Sequence, residues 1–190
     1  YMLNIPGEDR EKVLHYYNES HPYYKMDIAI VGAGNSAVDA ALDTYRKGAK
    51  SVTMIIREKE IGKNIKYWVR PDIINRIENK EINVYFESEI REVKEKTIIV
   101  EERNNITEIK NDFVLAMTGY QPNYEILEKL GIKILDDEHK TPNYNDNTME
   151  TNVKGVYIAG VICGGLKTNK WFIENSREHS KKILSQIIKV

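Results

Sequence analysis

The 190-residue sequence sets 28 Lys and Arg against 29 Asp and Glu, with 41% hydrophobic residues. That balance excludes a disordered chain and the basic footprint of a nucleic-acid binder, and no apolar run approaches the roughly 18 residues of a membrane helix. The single cysteine, Cys163, excludes an internal disulfide or a CxxC pair and, with no secretory leader in view, points to a cytoplasmic setting.

The chain opens on Tyr1 in an irregular, proline-containing stretch, which reads as a fragment entered from something upstream. Residues 1–24 form a lead-in whose Tyr-rich part, HYYNESHPYY, is expected to pack at a domain interface. A strand at 27–31 (DIAIV) runs straight into glycine, and a helical pattern follows with Ala37, Ala41, Leu42 and Tyr45 on one face, stopped by Gly48. A second strand at 51–56 completes a βαβ unit of about 30 residues. Pro71 opens a helix through Asn79, and INVYF at 82–86 is a third strand. Segments at 89–93, 97–101 and 106–109 alternate as a small antiparallel meander before the buried strand within NDFVLAMTG. The pattern predicts a three-layer α/β domain over 1–119, Rossmann-like, with a parallel sheet, helices and the meander.

In residues 120–190 the pattern predicts a helix at 124–130, a strand at 132–135, a polar loop, an apolar strand at 155–160 and a final helix at 169–188. These elements are too few for a second complete sheet. Residues 156–159 would then be exposed, and a second copy is the expected cover, making the protein a homo-oligomer.

GAGNSA, Gly32 to Ala37, is a GxGxxA turn between strand and helix. Gly32 permits the tight turn, Gly34 lets main chain approach a pyrophosphate, and Ala37 allows close helix packing. Asn35 and Ser36 are placed to cap the helix or add hydrogen bonds. The residue ending the second strand faces the adenine ribose, and here it is Arg57, whose forked cation suits a 2′-phosphate, so NADP(H) is favoured over NAD(H). Arg57 can also be read as a solvated strand-end charge beside Glu58 and Glu60. Lys63 or Lys66 can assist the phosphate or be plain surface lysines. The four histidines have no metal-ligand spacing.

GAGNSA, the strand-end Arg57, the meander, VLAMTGYQPN and TNVKGVYIAG occur in an order that resembles the thioredoxin-reductase-like flavoproteins, and more narrowly the bacillithiol-disulfide reductase branch, from Asn4 to the final helix. The resemblance implies that AMTG, with Thr118 and Gly119, marks the chain leaving an NADPH domain. It implies that 120–190 is the C-terminal part of an FAD domain, with Gly160, Val161, Lys170 and Trp171 on the flavin side and Phe172 beside them. It also implies hydride transfer from NADPH to FAD and on to a low-molecular-weight disulfide, with the redox cysteine outside this chain. Two departures stand out: the CxxC pair of thioredoxin reductases is absent, and Val161 replaces the family's usual Asp, leaving only a main-chain donor. The nucleotide turn alone also fits a flavin monooxygenase, a ferredoxin-type reductase or a non-catalytic NADP(H) sensor. Cys163 can be a redox group near the flavin or a small buried hydrophobe.

Overall fold

The computed structural model describes residues 1–62 and 65–188, and the chain divides into two compact units, Tyr1–Gly119 and Tyr120–Val190. The first contains, in order, β1 (Val13–Leu14), β2 (Asp27–Val31), α1 (Asn35–Arg46), β3 (Ser51–Ile55), α2 (Arg70–Glu78), β4 (Asn83–Tyr85), β5 (Ser88–Val93), β6 (Thr97–Glu102), β7 (Asn105–Lys110) and β8 (Phe113–Ala116). Five strands form a parallel sheet in the order β1-β8-β2-β3-β4, and β5-β6-β7 form a separate antiparallel sheet.

Side-chain alternation makes the parallel sheet the middle of three layers. Ile28, Ile30, Val52, Met54 and Leu115 pack with Ala37, Val38 and Ala41 of α1 and Ile73 of α2. Their strand neighbours Ala29, Val31, Ile55 and Val114 pack instead against Ile90, Val93, Ile98 and Val100 of the antiparallel sheet. Strands buried on both faces read as continuous apolar runs, which is why DIAIV and FVLA carry so few polar residues. α1 ends because Gly48, at φ +87°, turns the chain where a side chain would be strained.

Two features depart from the sequence expectation. The lead-in supplies β1, whose Val13 pairs with Val114, and its approach is tied down by Lys12, which donates to the carbonyls of Lys94, Glu95 and Asn111 at 3.1, 3.2 and 2.8 Å. A two-residue strand is too short to show alternation. Part of the Tyr-rich stretch packs within its own unit: Tyr17 stacks on Tyr23 at 5.9 Å, and Tyr23, 4% exposed, meets Phe113 edge-on at 5.3 Å, whereas Tyr16 and Tyr24 stay exposed.

The second unit holds α3 (Glu125–Lys129), a 3-10 turn at Val161–Gly164 and α4 (Ile173–Ile187). The strands expected at 132–135 and 155–160 are not formed. Among the described residues each is reduced to an isolated antiparallel bridge, Ile134 to Pro142 and Glu150 to Tyr157. A strand needs a partner along its length, and here each pairing stops after two backbone hydrogen bonds, Leu135 N–H to Thr141 O with Asn143 N–H to Lys133 O, and Thr151 N–H to Val156 O with Ile158 N–H to Met149 O. Ile158 is buried with Met149 and Cys163, so the fully exposed apolar strand is not present either. α4 begins at Ile173, later than expected, because Asn175 folds back: its Oδ1 accepts the Phe172 N–H at 2.7 Å and its Nδ2 donates to Lys170 O at 3.0 Å. Among the described residues no helix is long and apolar enough to cross a membrane.

Leu115 is fully buried between β1 and β2 on the helix-side face. Leu115→Ala is expected to cost about 2–5 kcal/mol. A urea midpoint that moves by the equivalent of less than about 1 kcal/mol would mean that this layer is not close-packed.

Candidate functional site

The carboxyl end of β2 delivers the chain into α1 through Gly32, Ala33 and Gly34. Gly32 has φ +123°, and a Cβ there would lie 2.5 Å from the carbonyl oxygen of Met117. Both facts demand glycine, and both follow from β8 lying beside β2. Its N–H donates to Ile55 O at 3.1 Å, tying the turn to β3 as well. Ala37 is fully buried one turn into the helix, where a larger side chain would push α1 off the sheet.

Gly34 is the N-cap, in extended conformation, and a Cβ on it would meet no described atom within 4 Å. Among the described residues nothing crowds this position, so main chain at Gly34 can be approached closely. Among the described residues no side chain caps α1, and its first turn carries no acid. The positive end of the helix dipole and its first N–H groups are thus unopposed, a ready anion site. Of the two roles expected of Asn35 and Ser36, capping the helix is not taken up. Asn35 is already the first helical residue, and its Oδ1 accepts the Lys66 N–H at 2.9 Å.

Arg57 lies two residues past β3 with its side chain 66% exposed, its Nε 3.2 Å from Oε1 of Glu89. An exposed pair of this kind contributes roughly 0–1 kcal/mol, so the guanidinium can exchange Glu89 for a stronger anion at little cost. Sequence reasoning missed Glu89, which comes from β5 and has no local signature. Lys66 donates its ammonium to Asp39 Oδ2 at 2.9 Å. Lys63 lies outside the described residues. Thr118 donates its hydroxyl to Tyr1 O at 2.5 Å, and Gly119, at φ +95°, accepts from the Tyr1 amino group at 2.9 Å. Both residues are thus tied to the start of the chain, while Met117 just before them holds its carbonyl against the glycine turn.

In the second unit, Gly160 takes φ +83° with open space where a Cβ would stand, and Val161, 47% exposed, opens the 3-10 turn. The Gly160 N–H donates to Nδ1 of His179 at 3.1 Å. His179 is 2% exposed and meets the Trp171 ring edge-on at 4.4 Å. Sequence reasoning assigned His179 no role, and only its helical position facing Gly160 gives it one. Burial holds its imidazole below the ordinary range, helped by Lys182 and Lys170 and opposed by Asp146. Accepting at Nδ1 places the proton of the neutral ring on Nε2. Trp171 buries its Nε1 without a partner among the described residues, and Lys170 holds its ammonium 5.2 Å over the same ring. Cys163 is fully buried, and desolvation pushes its thiol up to about 11. Its Sγ lies 4.0 Å from Nδ1 of His179, and so enclosed the thiol packs as a small hydrophobe. Among the described residues no group of His, Cys, Asp and Glu could hold a metal.

The family described as pyridine nucleotide-disulphide oxidoreductase matches residues 1–160. The bacilliredoxin reductase Bdr of Bacillus subtilis (strain 168) is 44% identical over 189 residues, covering 98% of this chain and 57% of that protein. The solved bacillithiol disulfide reductase Bdr (YpdA) from Staphylococcus aureus is 38% identical with a TM-score of 0.93, over 99% of this chain and 58% of its own. The thioredoxin reductase of T. acidophilum, 17% identical, shares the fold at a TM-score of 0.78, over 100% of this chain and 63% of its own. The chain thus spans a little under two thirds of the length of each.

Because the folded imidazole of His179 titrates below its unfolded value, its contribution to stability is complete above about pH 6.5 and declines as the pH falls through the folded value. His179→Gln is expected to flatten this part of the stability-against-pH curve. An unchanged slope below pH 6.5 in thermal unfolding would show that the ring is not held neutral.

Proposed function

The chain belongs to the pyridine nucleotide-disulphide oxidoreductase family, and from that premise we propose that it is the NADPH-binding unit and flavin-side segment of an FAD enzyme that reduces a low-molecular-weight disulfide of the bacillithiol class. The observation that carries this reading is the uncapped start of α1 behind Gly34, uncrowded by any described atom and joined through β3 to the exposed Arg57.

The roles rest on the chemistry of each group. Main-chain amides from Gly34 to Ala37 hold the pyrophosphate, and Gly32 is the turn that aims them. Arg57 releases Glu89 and takes the 2′-phosphate in a charge-assisted, forked hydrogen bond. Thr118 and Gly119, following Met117 at the glycine turn, complete the wall of the site. On the flavin side, Gly160 leaves open the space a Cβ would take, Val161 offers its main-chain N–H, and Trp171 with Lys170 stands next to that turn. When bound, FAD supplies two-electron transfer between NADPH and a disulfide. Cys163 takes no part, since its thiol stays protonated and enclosed. The disulfide class rests on the likeness to the bacilliredoxin and bacillithiol disulfide reductases.

Arg57→Ala is expected to weaken NADPH binding by about 1.5–3 kcal/mol and NADH binding hardly at all. Calorimetric titration with both coenzymes reads the difference directly. Equal losses would remove the 2′-phosphate role, and no heat with either coenzyme from a folded wild-type chain would remove the nucleotide site itself.

A further inference from the structure

We propose that Tyr67 and Trp68 form the platform on which the adenine of the dinucleotide stacks, an assignment that rests on the nucleotide reading above. In the sheet order β8-β2-β3-β4, α2 crosses from β3 to β4. Residues just before α2 therefore stand beyond the carboxyl ends of those strands, on the side of the glycine turn away from β8. In an open parallel sheet of this kind, ligands lie outside the carboxyl ends of the strands, and the adenosine half lies on that side.

The described residues between β3 and α2 are fastened at several points. Ile61 and Ile65 are 3% and 6% exposed and anchor it in the helix-side core. The position a Cβ of Gly62 would take is 3.6 Å from Ala33 O, inside the glycine turn. The Lys66 N–H reaches Asn35 Oδ1 at 2.9 Å, and its ammonium reaches Asp39 one turn further along α1. The connection is thus strapped across the start of α1 by groups from both sides.

Immediately after this strap come Tyr67 and Trp68, 82% and 65% exposed, whose rings meet edge-on at 4.8 Å and 90°. Two large apolar rings left in water, each held by the other, lose little rotamer freedom when a flat ligand covers them. An indole face stacks on any base, so the contact adds affinity without choosing the base. Arg57 begins the same connection with an exposed cation. One end of it therefore offers charge for a 2′-phosphate and the other offers ring faces for the base beside that phosphate.

The test uses the 190-residue chain, adenosine 2′,5′-bisphosphate as the probe with a base and inorganic pyrophosphate as the probe without one. Wild type is expected to bind the bisphosphate with quenching of tryptophan fluorescence. Trp68→Leu should lose that quenching and bind the bisphosphate roughly tenfold or more weakly. Its pyrophosphate affinity should stay unchanged, and Trp68→Tyr should restore most of the lost affinity. Trp68→Leu binding both probes as wild type does, or weakening for both equally, would overturn the platform while leaving the nucleotide site standing. A wild type that binds neither probe would overturn the nucleotide reading and the platform with it. Because Trp68 is largely exposed, Trp68→Leu should unfold at the wild-type temperature, so weakened binding cannot be put down to misfolding.

Discussion

The closeness of Gly32 to the carbonyl of Met117 governs the first unit. β8 and β2 are hydrogen-bonded neighbours, and the chain leaving β8 passes where any side chain on residue 32 would stand. That one approach dictates a left-handed turn, and the turn directs α1 back over the sheet. It sets Met117 against the turn, and the helix that follows starts without a side-chain cap. The anion site is a by-product of packing: a helix that must start at this point, uncapped, presents its first amides to whatever lies beyond the strands.

Much of this unit was legible because its signals are local. β2, α1 and β3 combine the strand and helix periods with glycine punctuation at βαβ length, and the meander shows three alternating runs between polar turns. What escaped was long-range. β1 is two residues whose approach is tied down by a single side chain, Lys12, reaching to the carbonyls of 94, 95 and 111. Asn35 has the right type to cap a helix, yet it serves a residue well along the chain. Arg57 was found by type and position, while its partner Glu89 sits on another sheet.

The second unit shows the limit of reading strands from composition. GVYIAG has the residues of a buried strand, but strand structure belongs to a pair of segments, and this one reaches Glu150 through a single isolated bridge. Its apolar side chains still find burial through Met149 and Cys163. The family resemblance placed attention on Gly160 and Val161. The geometry adds the neutral imidazole of His179 as the acceptor that keeps Gly160 in its positive-φ conformation. A histidine in the middle of an amphipathic helix gives no hint of that from its neighbours.

The two borders of the parallel sheet are its shortest members, β1 with two residues and β4 with three. A foreign polypeptide laid along either rim would find too few unsatisfied amides and carbonyls to be retained. Short borders limit runaway intermolecular growth on the greasy central strands, and charges at Lys12 beside one rim and at Glu81 and Glu87 around the other act in the same direction.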